Sequence, residues 1–353
     1  MKILISGVCG FVGSHLARYL IESHEGVVIV GLDNLVRAGS ETNRVSLRQF
    51  GVQLFHGDTR MASDLEALPD TDWVIDAAAQ PSVLAGRDGN SSSRQLMEHN
   101  LLGTINLLEY CRAAHAGMIL LSTSRVYSIA ALAQLPLRVE DSAFSLDDRR
   151  AWPACASLAG IGEGFSTEAP VSLYGATKLA SELLAREYAS AFGIRVWINR
   201  CGVLAGAGQF GTAEQGIFSY WLHAYSARRP VKYLGFGGRG FQVRDALHPR
   251  DLARLVDIQL HSGEQGQLMN VSGGPANSMS LRQLTDWCDQ RFGPHEPMAD
   301  GAERPYDIPW LILDSSKAFE ATGWKPEIRL TQILEEIAAH ADSHPEWLTW
   351  SGA

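Results

Sequence analysis

"MKILISGVCGFVGSHL" (residues 1–16) is the stretch on which the reading of the fold turns. "KILIS" (2–6) is a short, nearly unbroken apolar run, the pattern of a strand buried on both faces. Gly7, Gly10 and Gly13 follow, and "FVGSHLARYLIES" (11–23) places Val12, Leu16 and Leu20 at helical spacing. A strand, a turn without side chains and a helix N-terminus bring free N–H groups and about half a positive charge to one point. The ligand this suggests is a phosphate.

The same rhythm continues outward. "VVIVGLD" (27–33), "VQLFHGD" (52–58), "DWVIDAAA" (72–79), "GMILLST" (117–123) and "IRVWINR" (194–200) read as further strands. "RQLMEHNLLGTINLLEYCRAA" (94–114) and "LYGATKLASELLAREYASAF" (173–192) read as long helices. Apolar strands alternating with helices predict an α/β fold, a Rossmann-type doubly wound parallel sheet covered on both faces. Beyond residue 200 the elements become shorter and mixed, which predicts a smaller mixed α/β C-terminal substrate domain with helices over 281–292 and 330–344. The expected division is 1–199 and 200–353, with 243–262 returning to the first domain. Residues 128–172 read as a long loop without sheet, placed to cover an active site.

Composition narrows the class. Of 353 residues, 46% are hydrophobic and 20% charged, which supports a sizeable core. The net charge of −9 is scattered and no basic block marks nucleic acid or an anionic membrane as a partner. Cys9, Cys111, Cys155, Cys201 and Cys288 form no CxxC pair, so reduced thiols and no metal are expected. No apolar run reaches the ~18 residues of a membrane span, and no signal-like segment is seen. A cytoplasmic location is expected.

The glycine spacing is a weak signal alone, but its context is specific. Asp33 ends the second strand, twenty residues past Gly13. A carboxylate there accepts hydrogen bonds from ribose hydroxyls and repels a 2′-phosphate, which favours NAD over NADP. Arg37 nearby works against that preference. Asp58, ending the third strand, is open between a contact to the adenine edge and an ordinary strand-end carboxylate.

Tyr174 and Lys178 in "YGATK" lie four residues apart, hence on one helix face. A phenol of pKa near ~10 needs about three units, roughly 4 kcal/mol, to become a base at neutral pH. One ammonium about 4 Å away at an effective dielectric of ~20 supplies about that much, before burial is subtracted. Tyr174 would then take a hydroxyl proton while hydride leaves for the nicotinamide. Thr123, at the end of the fifth strand, stands where a parallel sheet meets its ligand and would orient the same oxygen.

With these residues in hand, the chain resembles the extended short-chain dehydrogenase/reductases, the nucleotide-sugar epimerases and dehydratases. The resemblance runs through "GVCGFVG", "LDNL", "HGD", "NLLGTINLLE", "STSRVY", "YGATK", "QVRDALHPRDLA" and "NVSGG". It implies NAD as cofactor, contacted by Gly7, Gly10, Phe11, Val12, Gly13, Asp33, Asn34, Arg37, Asp58, Thr59, Ala77, Ala78, Ala79, Gln80, Lys178, Cys201 and Val203. It implies a nucleotide-sugar substrate, with Arg244 and Arg304 on its pyrophosphate and Ser82, Arg125, Gln209, Phe210, Gln215 and Gln242 completing the pocket. It also implies a homodimer or tetramer paired through helices 94–114 and 173–192, whose extra apolar residues include Leu101, Leu102, Leu108, Leu183 and Leu184.

Dehydratases of this family carry an Asp-Glu pair directly after the active-site threonine; here Ser124 and Arg125 follow, so epimerisation is the expected reaction. "DNLVRAG" (33–39) and "GAGQFGTAEQGIFSYWL" (206–222) resemble the CDP-paratose 2-epimerase branch, which implies inversion at C2 of a CDP-linked 3,6-dideoxyhexose. The chain departs from that branch at Ser124-Arg125, where Asn-Lys is expected. A nucleotide-sugar 4-epimerase, a nucleotide-sugar reductase or dehydrogenase, and a non-enzymatic dinucleotide-sensing scaffold remain the alternatives.

Overall fold

The computed structural model describes residues 1–86 and 92–353. Its centre is a seven-stranded sheet built from β1 (Lys2–Ser6), β2 (Val28–Asp33), β3 (Gln53–His56), β4 (Trp73–Asp76), β5 (Gly117–Thr123), β6 (Val196–Cys201) and β7 (Leu268–Val271). The strand order is β7-β6-β5-β4-β1-β2-β3, and every neighbouring pair is parallel. This is the doubly wound sheet, with its crevice where the order reverses beside β1. Ile3, Leu4 and Ile5 are fully buried because helices cover both faces.

Register aligns the functional strand ends. Ser6 pairs with Leu32 on one side and Asp76 on the other, and Thr123 pairs with Cys201. The turns after β1, β2, β4, β5 and β6 therefore emerge along one edge.

The chain leaves this sheet after β6 and comes back. Helix Pro249–His261 packs with helix Phe11–Ser23 in one core (Leu252, Leu255 and Val256 with Leu16, Ala17 and Leu20), and β7 completes the sheet. Between and beyond these segments, strand Val243–Leu247 pairs with 203–204, 278–280 and 310–311 in a second, mixed sheet. Phe218, Trp221, Leu222, Leu284, Ile333 and Ile337 form a core on that side.

The structure departs from the sequence reading in three places. Residues 128–172 contain sheet: 137–140 pairs antiparallel with 143–146, and 156–157 with 160–161. The first hairpin turns on Asp141 and Ser142, both at positive φ (46° and 61°), so no glycine announces it. No residue of this segment lines the cavity described below; Phe144 N–H donates to the Phe241 carbonyl, and Ser142 and Asp141 carbonyls accept from Ser280 and Gln283. The long helix expected over 94–114 is interrupted by a wider, π-type turn at Glu98–Leu102. Leu108, read as an outward residue for pairing, is fully buried against the sheet, whereas Leu102 and Leu183 are exposed. All five cysteines are free thiols. Among the described residues no helix is long and apolar enough to cross a membrane.

Candidate active site

One large cavity of ≈620 Å³ opens along the sheet edge. The glycine turn forms its floor. Gly7 sits at φ +64°, and a Cβ there would lie 2.9 Å from the Ala78 Cα, so the turn can take only glycine without moving the neighbouring backbone. Helix Phe11–Ser23 begins at Gly10 with no side-chain cap, which leaves first-turn N–H groups for an anion. Gly7, Gly10, Phe11, Val12, Gly13, Asp33, Asn34, Arg37, Thr59, Ala77, Ala78, Ala79, Gln80, Cys201 and Val203 all line the cavity. An uncapped helix start, an unfilled glycine cradle and a carboxylate at the end of β2 fit a dinucleotide. Asp33 accepts the N–H of Cys9 and of Leu35, both at 2.8 Å, which fixes its carboxylate at the cavity wall; burial raises its pKa.

Two residues expected in the site do not line it. Asp58 is gripped by Arg60 (Nη2 at 2.7 Å, Nε at 3.0 Å) and by Asn34 Nδ2 at 2.9 Å. Burial would raise its pKa, but these donors overcome it and hold the carboxyl well below the usual range. Of the two sequence readings of Asp58, the ordinary strand-end carboxylate describes its contacts. Ser82 accepts the Leu84 N–H at 3.2 Å and lies 3.4 Å from the Glu214 carboxylate, outside the cavity lining.

Thr123, Tyr174 and Lys178 converge on the same cavity, and each is at least nine-tenths buried. Helix Ser172–Phe192 approaches closely because Gly175 has no side chain; a Cβ there would lie 2.3 Å from the Arg125 carbonyl oxygen. Lys178 Nζ donates to the Leu121 carbonyl at 3.0 Å. Burial pushes the Tyr174 phenol up to about 12, and a hydrogen bond with Thr123 and the charge of Arg125 pull it back. Arg125 thus adds a second cation beside the phenol to the Lys178 that the spacing of "YGATK" pointed to, whose ammonium is held by the β5 backbone.

Arg125, Gln209, Phe210, Gln215, Gln242, Arg244 and Arg304 line the remainder of the cavity. Arg244 lies 3.4 Å from Asp307 and donates to the Val243 carbonyl. Arg125 donates one Nη2 hydrogen bond to the Tyr306 carbonyl at 2.6 Å, while its buried Nε has no partner; burial lowers its pKa to about 9. Gln209 Oε1 and Gln242 Oε1 are likewise buried acceptors without donors. A donor and two acceptors left unpaired in one cavity are the signature of a site shaped for a polar ligand.

Sequence reasoning passed over the residues that hold these groups in place. Asp76 accepts from Ser6 Oγ at 2.9 Å and Thr104 Oγ1 at 2.7 Å, and Ser6 in turn accepts the N–H groups of Ala77 and Ala78. Asn100, on the π-type turn, accepts the Gln80 N–H at 2.8 Å and donates to Thr177 Oγ1 at 3.2 Å. It joins the cofactor-facing loop to the helix of Tyr174. The only sequence signal for either network was a polar residue inside an apolar run.

Known proteins share this fold. Residues 3–272 match the model of the NAD dependent epimerase/dehydratase family. The CDP-paratose 2-epimerase of Salmonella typhi is 29% identical, over 96% of this chain and 98% of its own. The UDP-glucose 4-epimerase of Corynebacterium glutamicum is 26% identical, over 96% and 95%. Among solved structures, a UDP-glucuronic acid 4-epimerase from Bacillus cereus, in complex with UDP-glucuronic acid and NAD, superposes with a TM-score of 0.76 at 23% identity, covering 97% of this chain and 99% of that one. With the match spanning most of its length, the chain belongs to the NAD-dependent epimerase/dehydratase family, enzymes that act on nucleotide-linked sugars.

Proposed function

We propose that the chain epimerises a nucleotide-linked sugar through a transient ketone, with C2 of a CDP-linked 3,6-dideoxyhexose as the reacting centre. The observation that carries the reaction type is the convergence of Thr123, Tyr174 and Lys178 on the glycine-turn cavity, with no carboxylate directly after Thr123 to expel water. Gly7, Gly10, Gly13 and Asp33 would hold NAD, which would supply a reversible hydride acceptor and, when oxidised, a positively charged ring. Tyr174 takes the hydroxyl proton and gives it back. Burial keeps its phenol protonated at neutral pH, so removal of the sugar proton depends on added positive charge in the loaded site. Thr123 holds the oxygen being oxidised, and Arg244 and Arg304 face the diphosphate.

Support for C2 comes from the Salmonella relative and from Gln209, Phe210 and Gln215 in the cavity wall. A 4-epimerase is the second reading, favoured by the Corynebacterium relative over the same length. Proton NMR of the enzyme with CDP-paratose and with UDP-glucose separates them by the carbon at which the configuration changes. Interconversion without net NADH is expected, and Tyr174→Phe should lower turnover about 10²–10⁴-fold while keeping NAD. Stoichiometric NADH formation or consumption overturns epimerisation in favour of a reductase or dehydrogenase. We further propose self-association through helices 94–114 and 173–192, where Leu102 and Leu183 are exposed.

A further inference from the structure

The two stretches "DNLVRAG" and "GAGQFGTAEQGIFSYWL" are far apart in the chain but form one unit in space. Arg37 Nη2 donates to the Phe210 carbonyl and, at 3.1 Å, to Gln215 Oε1. One nitrogen thereby closes both ends of the turn 210–215, whose Thr212 and Gln215 backbones bond each other. The Phe210 ring lies over Gly39, where at φ +87° a Cβ would come within 2.6 Å of it. Phe210 also stacks on Trp347, with 5.1 Å between ring centroids, and Trp347 Nε1 donates to the Gln209 carbonyl at 2.8 Å. Further along, the Glu214 carboxylate lies 3.4 Å from Ser82 Oγ and its carbonyl 3.5 Å from Arg304 Nη2. The loop thus joins residues that follow β2 and β4 to Arg304 in the cavity wall and to Trp347.

A cation just past Asp33 is where a 2′-phosphate would be met. In this chain the Nη2 of that cation is taken by carbonyl and amide oxygens of the loop. We infer that Arg37 is a positioning residue, which holds the bound dinucleotide by fixing loop 209–215 across the cleft and does not itself read the cofactor. The inference rests on the dinucleotide reading of the cleft. It accounts for the pairing of the two motifs: the arginine, the glycine two residues on, and the Gln-Phe and Gln-Gly of the loop are parts of a single contact.

The test measures NAD and NADP dissociation constants by calorimetry on full-length protein stripped of nucleotide. Wild type, Arg37→Ala, Gln215→Ala and the double variant are compared, with circular dichroism and thermal melting as folding controls. Loss of hydrogen bonds to a charged donor predicts NAD binding about tenfold weaker, or more, in each single variant. The double variant should be no weaker than Arg37→Ala within about twofold, because both remove the same link. The preference for NAD over NADP should stay unchanged. A loss in Arg37→Ala with wild-type affinity in Gln215→Ala overturns the inference, as does a shift in the NAD/NADP preference; Arg37 then touches the cofactor. Unchanged affinity in both single variants overturns it too. Should Arg37→Ala fail to fold, Gln215→Ala alone decides: weaker NAD binding supports the inference and wild-type affinity defeats it. A wild type that binds no NAD overturns the cofactor reading and the inference together.

Discussion

Two arginines near the end of β5 are handled in opposite ways. Arg200, on β6, meets Glu182 through Nη2 at 2.7 Å and through Nε at 3.0 Å, and its Nη1 reaches Tyr127 and the Glu163 carbonyl. Burial alone would lower its pKa, but Glu182 reverses this and the charge is held firmly. Arg125, partly buried in the cavity wall, donates to one neutral carbonyl, and its buried Nε has no partner. A charge matched inside the protein belongs to the fold; a charge left short of partners beside a cavity belongs to what enters the cavity. The histidines on the far side show a third solution. His223 and His340 touch at 3.0 Å, and burial lowers their pKa values to about 4 and about 3, so both stay neutral.

The largest effect should come from Arg200→Met, which strands the Glu182 carboxylate in the core. Urea unfolding should show a loss of about 3–5 kcal/mol. Arg125→Met should leave unfolding stability near wild type and lower kcat/KM about 10–100-fold, corresponding to about 1.5–3 kcal/mol for a lost charged hydrogen bond. Equal destabilisation in the two variants would erase the distinction. The same Arg125→Met change should move the acidic limb of the kcat profile upward in pH, because it removes a positive charge that lowers the Tyr174 pKa. A profile that keeps its position with reduced height would assign Arg125 to binding alone. The smallest effect concerns the histidines. Unfolded, they titrate near ~6.5, so between that value and about 4 the unfolded chain binds more protons than the folded one. Their contribution is complete above ~6.5 and declines as the pH falls through that window. Melting temperatures at pH 7.5, 6 and 5 should decrease in that order, and His340→Gln should flatten the decrease.

Legibility from sequence followed the range of the interactions involved. Strands β1 and β5 and helices 11–23 and 281–292 have the limits that their apolar runs suggest, because continuous burial leaves a continuous signal. The turn of the 137–146 hairpin left no such signal: Asp141 and Ser142 adopt a backbone conformation usually marked by glycine. β7 carries no clear strand pattern: its Asn270 is fully buried and interrupts the apolar run, and its side chain is used by Tyr127 and the Ile161 carbonyl. In the site, the glycines, Asp33, Thr123, Tyr174 and Lys178 were readable because their chemistry depends on residue type at fixed spacing. Asn100, Asp76 and the Arg37–Gln215 link were not, since each is defined by a partner distant in sequence. Asp58 shows the converse, a carboxylate in the expected place whose oxygens are taken by Arg60 and Asn34.

The return of the chain to form β7 has a consequence for how the molecule is made. On the ribosome, the edge of β6 stays without its neighbour until residue 271 has emerged, after strand Val243–Leu247 of the second sheet has been synthesised. The cleft floor is encoded near the start of the chain, but the sheet supporting it is completed only by residues 268–271. A nascent chain stopped near residue 200 would present an open row of backbone donors and acceptors to any passing strand.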